Sequence, residues 1–375
     1  MKSLYIGLMS GTSMDGIDAG LFEIKNRSCV VKATLKTPYP TDLRRELLAA
    51  SRNPETCTID TLGRLDNWVG ECFMRATEQL IADSQVDKSR IRAIGSHGQT
   101  IRHQPRSLRP FTMQIGDPNL IAAGTAITTV ADFRRRDLAF GGEGAPLTAA
   151  FHKWLWSNRR EDRVVLNIGG MANITILPAA SGAVHGFDTG PGNTLLDAWI
   201  QLQKNESFDD GGAWADSGRA VPTLLDRLLE DPYFASPPPK STGFEYFNLK
   251  WLQDATSRLF ESDRPAPEDI QASLAELTVR SVASAVRQHA PSTSRVLVCG
   301  GGVHNHGLMR RLQDALAPIR IESTATVGLD PDWVEAATFA WLAKRCLDRQ
   351  PGNLPTVTGA AGFTILGGVY PAAPA

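Results

Sequence analysis

The chain has 375 residues and a formal charge of −1, from 39 basic against 40 acidic residues. Hydrophobic residues make up 42% of it and charged residues 21%. These proportions exclude a disordered, collagen-like or coiled-coil chain, and the even charge balance argues against a nucleic-acid partner. In chain order, residues 4–9 read as a strand ending in Ser10-Gly11-Thr12-Ser13-Met14-Asp15-Gly16, a turn by composition. Residues 17–24 return as a second strand, and residues 29–35 form a third. Residues 41–50 and 62–81 read as helices, the second with Leu62, Leu65, Val69 and Phe73 at helical spacing. Residues 91–95 are a strand that runs into Ser96-His97-Gly98-Gln99-Thr100; 111–115 is another strand, and 119–123 a short helix after Pro118.

Residues 131–144 are polar and Gly-rich and read as the crossing between two domains, followed by a helix over 146–156. Residues 163–168, the turn Gly169-Gly170-Met171-Ala172 and residues 173–177 repeat the strand–turn–strand unit of the N-terminus. Residues 184–187 form a strand ending in Asp188-Thr189-Gly190-Pro191-Gly192-Asn193, with a helix over 194–202. Residues 231–245, which hold Pro237-Pro238-Pro239, read as a loop. A long helix over 267–290 precedes a strand over 295–298, which meets Cys299-Gly300-Gly301-Gly302-Val303-His304-Asn305. A helix over 308–316 and a strand over 319–321 follow. Asp330 and Pro331 then open a helix to about Leu347, and the tail after Gln350 reads as loosely ordered at its end. Strands alternating with helices, twice over, specify an α/β chain of two related domains, residues 1–131 and 132–375, with the C-terminal segment packing back on the first.

Five scattered cysteines without a CxxC pair point to a reducing compartment and away from zinc. The N-terminal apolar run is too short for a secretory signal, and no stretch is long enough to span a membrane, so the expected location is the cytoplasm.

Four glycine turns follow strands. Turns of this kind let backbone N–H groups approach an anion, and four in one chain favour nucleotide phosphate over coincidence. No GxxxxGK[ST], GxGxxG, HExxH or GxSxG pattern competes with that reading. Asp188, where a strand meets a Gly-Pro-Gly turn, has two equal readings on spacing alone: a general base in a cleft, or a cap for the turn and the next helix. His97, Gln99 and Thr100 offer the mixed donors and acceptors that sugar hydroxyls need, although a lone loop histidine is more often structural. Glu335 falls in the first turn of a helix, where a carboxylate is stable whatever its function. One arginine of the 134–136 run can reach a carboxylate or phosphate.

Residues 6–18, 95–100, 167–173, 186–193 and 300–305 together resemble the anhydro-N-acetylmuramic acid kinase family, over about Tyr5 to Leu347. The resemblance implies an actin-like sugar-kinase fold with ATP in the cleft between duplicated domains. The implied reaction opens the 1,6-anhydro ring and phosphorylates the 6-oxygen, in the recycling of cell-wall peptidoglycan. It places the first ATP-phosphate hairpin at Gly11, Thr12, Ser13, Met14, Asp15, Gly16, Ile17 and Asp18. The second phosphate turn falls at Gly169 and Gly170, with Gly190, Gly192 and Asn193 beside it. The adenosine turn falls at Gly300, Gly301, Gly302 and Asn305. Asp188 matches the catalytic base, and His97, Gly98, Gln99, Arg134 and Glu335 match the sugar contacts. Magnesium is implied with ATP. The acidic residue that usually ends the first strand of actin-like proteins is missing here, so Asp15, Asp18 or the phosphates themselves are left as metal ligands. A homodimer is a family expectation. Two rivals stand beside this reading: an actin-like kinase of another amino sugar, and an ATP-gated binding protein without turnover.

Overall fold

The computed structural model describes residues 3–179, 182–259 and 264–372. Among these, twelve strands run in chain order: β1 (Leu4–Ser10), β2 (Gly16–Lys25), β3 (Ser28–Pro38), β4 (Ile91–Gln104), β5 (Phe111–Ile115), β6 (Thr129–Ala131), β7 (Arg163–Ile168), β8 (Met171–Leu177), β9 (His185–Pro191), β10 (Arg295–Cys299), β11 (Arg320–Ser323) and β12 (Gly368–Tyr370). The chain forms two compact units, one of residues up to Leu155 together with those from Trp333 onward, the other Trp156–Asp332. The 131–144 segment, read from composition as a crossing, lies inside the first unit.

The first unit holds one sheet in the order β3-β2-β1-β4-β6-β12, with β5 paired to β4. β1, β2 and β3 are antiparallel neighbours, while β4 runs parallel to β1 and β6 parallel to β4. One apolar cluster joins Ile6, Leu8, Leu21 and Ile94 to the helices Thr41–Arg52 and Ile59–Ser84. The second of these helices is capped by Thr58, whose hydroxyl accepts from Thr61 N–H at 3.1 Å. It buries Leu65, Val69, Phe73 and Leu80, at spacings of four, four and seven that put them on one face. Full burial of each such side chain is worth roughly 1.5–3 kcal/mol.

The helix Val334–Leu347 belongs to the first unit as well and packs on β1 and β4. Two glycines make room for it. Gly7 and Gly95 are paired across β1 and β4, and a Cβ on them would lie 1.7 Å from Ala336 O and 2.0 Å from Phe339 O. The helix backbone therefore sits directly on the sheet, as the expected return of the C-terminal segment requires.

The second unit holds a sheet in the order β9-β8-β7-β10-β11, with β7, β8 and β9 antiparallel and β10 and β11 parallel to β7. The helices Pro267–His289 and His306–Leu316 cover it through Val279, Val282, Val286, Leu308 and Leu312. Without β5 and β12, the first sheet's β3-β2-β1-β4-β6 has the same order, 3-2-1-4-5 by position, and the same strand directions as the second sheet's β9-β8-β7-β10-β11. This duplication is the actin-like ATPase and sugar-kinase architecture that the resemblance implied.

Several elements differ from the sequence expectation. β4 does not stop at Gly95 but continues to Gln104, because β5 pairs with it across a bend at Gly98, where φ is +74°. His97 and Gln99 therefore lie within a strand. β9 likewise extends through Pro191, so Asp188 is a mid-strand residue opposite Asn173. The polar stretch after Ala131 contains a short helix, Arg135–Ala139. The tail after Gln350 is packed as far as Tyr370, where β12 closes the edge of the first sheet against β6; its last three residues lie outside the described ones.

Candidate functional site

In the first unit, the turn between β1 and β2 is held from beneath. Ser10 Oγ donates to Gln99 Oε1 at 2.6 Å, and Gln99 Nε2 donates to Gly11 O at 3.1 Å. Met14 N–H closes the turn on Gly11 O at 3.3 Å, with Met14 in the left-handed region and its side chain buried. Thr12, Ser13 and Asp15 are exposed, and Ser13 Oγ donates to Asp15 Oδ1 at 2.8 Å. Gln99, expected as a sugar contact, is fully buried with both ends of its carboxamide committed to Ser10 and Gly11. It is a strut for the turn. Gly98 is likewise required by the hairpin, since a Cβ there would lie 2.6 Å from Ile115 O. Ile17 is buried in the core, and Asp18 lies on β2 rather than in the turn.

His97, Arg134, Glu335 and Asp18 do come together. Arg134 Nε donates to His97 Nε2 at 3.0 Å, which leaves the proton on Nδ1, 2.9 Å from Gly98 O. The other end of the guanidinium donates from Nη1 to Gly144 O at 2.7 Å. The His97 ring packs on Phe339, centroids 4.6 Å apart, from the same helix that carries Glu335. Burial, reinforced by the Arg134 charge, holds the His97 imidazole well below its ordinary pKa and hence neutral. Burial also brings Arg134 down to about 10, against the attraction of Glu335 and Asp137. Glu335 is pushed up by burial and by the Asp18 carboxylate, with Arg134 opposing. Desolvation thus outweighs the ion-pair attraction at both ends. Arg134 and the acidic Glu335 and Asp18 side chains, beside the neutral His97 ring, supply donors and acceptors on one patch, the assortment a polyhydroxylated ligand takes. A cavity of about 50 Å³ opens beside His97, lined also by Asp66, Ser96, Gln114 and Asp132.

In the second unit, Asp188 is clasped by the segment read as a loop. Its N–H donates to Lys240 O at 3.1 Å, and its Oδ2 accepts from Thr242 N–H at 3.0 Å. Tyr233 Oη donates to the Asp188 carbonyl at 2.7 Å, and Lys240 Nζ lies 4.7 Å above the Tyr233 ring while donating to Tyr233 O and Phe234 O. Burial lowers the Lys240 pKa. Asp188 does not cap the next helix: Thr194–Lys204 starts after Asn193, while Asp188 Oδ2 accepts from the Thr242 N–H.

The three glycine turns of the second unit meet at the carboxyl ends of β7 and β10. Gly192 N–H donates to Gly170 O at 2.8 Å and Asn193 N–H to Gly169 O at 2.9 Å, so those two amides are used within the protein. Gly300 has φ +80°, and a Cβ there would lie 2.4 Å from Asn167 Oδ1; at Gly302 it would lie 2.3 Å from Ile168 Cγ2. These glycines are demanded by the packing of turn on strand, as are Gly190 and Gly192. Asn305 caps the next helix, its Oδ1 accepting from Leu308 N–H at 2.8 Å.

Gly11, Gly169 and Gly301 differ. None has a left-handed φ, and a Cβ on them would meet nothing closer than 3.8, 3.8 and 3.9 Å. The protein itself makes no demand for glycine there. Space beside the Cα at a strand-end turn fits the close approach of a phosphate group, such as one of ATP. Among the described residues, no three Asp, Glu, His or Cys side chains converge into a metal cage. No helix among them is long and apolar enough to cross a membrane.

Sequence reasoning missed Tyr233, Lys240 and Thr242, whose Pro-rich surroundings read as a plain loop, and Asp137, whose fully buried carboxylate accepts from Gly144 N–H at 2.8 Å. An acid immediately after three arginines reads as part of a solvated charge run, and only the backbone path shows otherwise.

The model of the family described as anhydro-N-acetylmuramic acid kinase matches residues 3–372. A Xanthomonas campestris pv. campestris protein named anhydro-N-acetylmuramic acid kinase is 53% identical over 374 residues, covering 98% of this chain and 97% of that one. A Coxiella burnetii protein of the same name is 50% identical over 370 residues, covering 98% of each. Among solved structures, component A of (R)-2-hydroxyglutaryl-CoA dehydratase from Acidaminococcus fermentans is similar with a TM-score of 0.48 and 12% identity, over 90% of this chain and 96% of that one. With its motifs matched along its length and relatives at half identity, the chain belongs to the anhydro-N-acetylmuramic acid kinase family.

Proposed function

We propose that the chain is an ATP-dependent kinase that hydrolyses the 1,6-anhydro bridge of 1,6-anhydro-N-acetylmuramic acid and phosphorylates the freed 6-oxygen, giving N-acetylmuramic acid 6-phosphate and ADP. Family membership and the open glycines Gly11, Gly169 and Gly301 support ATP as the phosphoryl donor. The observation that carries the mechanism is Asp188, a carboxylate fixed in mid-strand by the Thr242 N–H. In this reading Asp188 takes a proton from a water, and the water oxygen bonds to the anomeric carbon as the bond from that carbon to the bridging oxygen breaks. The freed 6-oxygen attacks the γ-phosphate and ADP leaves. A usual inverting glycosidase needs a second carboxyl to protonate its leaving oxygen. Here the phosphoryl group accepts that oxygen, so one base suffices. His97, Arg134 and Glu335 bind and orient the sugar; Gly170 and Gly301 present backbone N–H groups to the nucleotide, and Gly169 leaves room for it. A magnesium ion bound with ATP, held by the phosphates with Asp15 or Asp18, would supply neutralisation of phosphate charge. The reading puts the enzyme in the cytoplasm, where ATP is, and in peptidoglycan recycling.

The test is ADP release with Mg-ATP and the anhydro sugar, beside N-acetylmuramic acid, N-acetylglucosamine and glucose. Release with the anhydro sugar alone supports the proposal. Turnover with a plain sugar overturns the substrate, and nucleotide binding without turnover on any sugar overturns the enzyme.

A further inference from the structure

Asp137 is fully buried, and three donors converge on its carboxylate. Oδ2 accepts from Gly144 N–H at 2.8 Å; Oδ1 accepts from Asn353 Nδ2 and from Thr358 Oγ1, each at 2.9 Å. The loop between is wound tightly around it. Phe140 N–H and Gly142 N–H both donate to the Asp137 carbonyl at 3.0 Å, and a Cβ on Gly142 would lie 2.3 Å from Asp137 Oδ2. The tail residues are fixed in turn, since Asn353 Oδ1 accepts from Thr364 N–H at 2.8 Å and Thr358 O accepts from Glu143 N–H at 2.7 Å. Gly144, with φ +68°, then turns its own carbonyl toward Arg134 Nη1 at 2.7 Å, and Arg134 Nε donates to His97 Nε2. A continuous path of hydrogen bonds runs from the C-terminal tail through Asp137 and Gly144 to Arg134 and His97. The Asp137 charge also helps keep the buried guanidinium cationic.

We propose that Asp137 is a positioning residue for the sugar side of the reaction: clamped by Asn353 and Thr358, it fixes Gly144 so that the Gly144 carbonyl and His97 together lock Arg134, and Arg134 in turn fixes the His97 tautomer. The proposal rests on the reading above that Arg134 and His97 contact the sugar. It requires a carboxylate, because all three partners are donors and an amide would turn its own N–H₂ against one of them.

The test is the variant Asp137→Asn, with kinetics and the ¹⁵N spectrum of selectively labelled histidines. The expected result is a rise of about tenfold or more in KM for the anhydro sugar, with KM for ATP within twofold, of the order expected when one buried hydrogen bond is lost. The His97 ring nitrogens should also move from a single Nδ1–H pattern to an average of both tautomers, which loss of packing elsewhere would not produce. If Asp137→Asn does not fold, Thr358→Val removes one donor at nearly constant shape and should raise the sugar KM about threefold with the same spectral change. An unchanged His97 tautomer pattern in the folded variant overturns the proposal, whatever the kinetics. Arg134→Ala tests the underlying reading separately: if it leaves the sugar KM unchanged, Arg134 is no sugar contact, whereas an Arg134 effect without an Asp137 effect overturns the positioning role alone.

Discussion

The two sheets share strand order and direction, yet they use their small residues for opposite ends. In the first sheet, Gly7 and Gly95 are filled by the backbone of the helix Val334–Leu347, which brings Glu335 and Phe339 to His97 and Arg134. The sugar site proposed above draws on these side chains, with the open turn at Gly11 on the same sheet. In the second sheet, Gly300 and Gly302 fold tightly on Asn167 and Ile168, while Gly169 and Gly301 leave space where a Cβ would stand. The nucleotide site proposed above draws on these turns, with the Asp188 carboxylate on the same sheet. In the proposed reading the shared topology is put to two uses, with packing on the first sheet gathering side chains and the turns of the second presenting amides.

The largest effect should come from the one side chain the second sheet contributes. Asp188→Asn is expected to lower turnover by roughly 10³-fold or more, in the range found for lost general bases, with ATP affinity within about twofold. Substantial residual turnover, measured by ADP release, would remove Asp188 from the role. Next comes the seat of the helix in the first sheet. Gly7→Ala would place a methyl 1.7 Å from Ala336 O, where only backbone movement can relieve it. The expected cost exceeds about 3 kcal/mol, beyond ordinary overpacking, seen as loss of soluble protein or a large fall in Tm.

The glycine contrast within the second sheet can be broken by a matched pair. Gly301→Ala should leave Tm within about 1 °C yet raise KM for ATP about tenfold, because only a ligand meets the new methyl. Gly302→Ala should lower Tm by several degrees, from a Cβ 2.3 Å from Ile168. Equal behaviour of the two would end the distinction between glycines kept for packing and glycines kept for a ligand.

The smallest effect concerns pH and uses a histidine away from either site. His152 is buried on the helix Thr148–Trp156, and burial brings it to about 3. The unfolded chain takes up this proton near pH 6.5 and the folded chain does not, so its share of stability is complete above pH 6.5 and is lost as pH falls towards 3. Between pH 7 and 5 the loss is about 2 kcal/mol. His152→Gln should flatten the fall in urea-unfolding stability over that range by the same amount. An unaltered slope would show that His152 is protonated in the folded state.

Much of this was legible in the chain. Short apolar runs and glycine punctuation marked both hairpins, and the motif around Asp188 marked it as the candidate base. The turn at Gly11–Gly16 was equally clear, since its composition admits little else. Tertiary commitments were not legible. Gln99 reads as a polar residue free for a ligand, but Ser10 and Gly11, 89 and 88 positions away, consume its carboxamide. Asp137 depends on partners 216 and 221 positions downstream. Lys240 and Thr242 hold Asp188 through backbone groups, on which side-chain identity leaves no mark. The strand extensions of β4 and β9 were hidden because glycine and proline normally end strands; here Gly98 only bends one and Pro191 lies at the last residue of the other.

The central claim is that one turnover both opens the ring and transfers the phosphoryl group. It is tested most directly by a single turnover in ¹⁸O-enriched water, quenched before the product anomerises and read by mass spectrometry. The account predicts a product heavier than the anhydro sugar by one phosphate and one water, with the label on the anomeric carbon and none in the phosphate. A phosphorylated product without added water, or label in the phosphate, would contradict it.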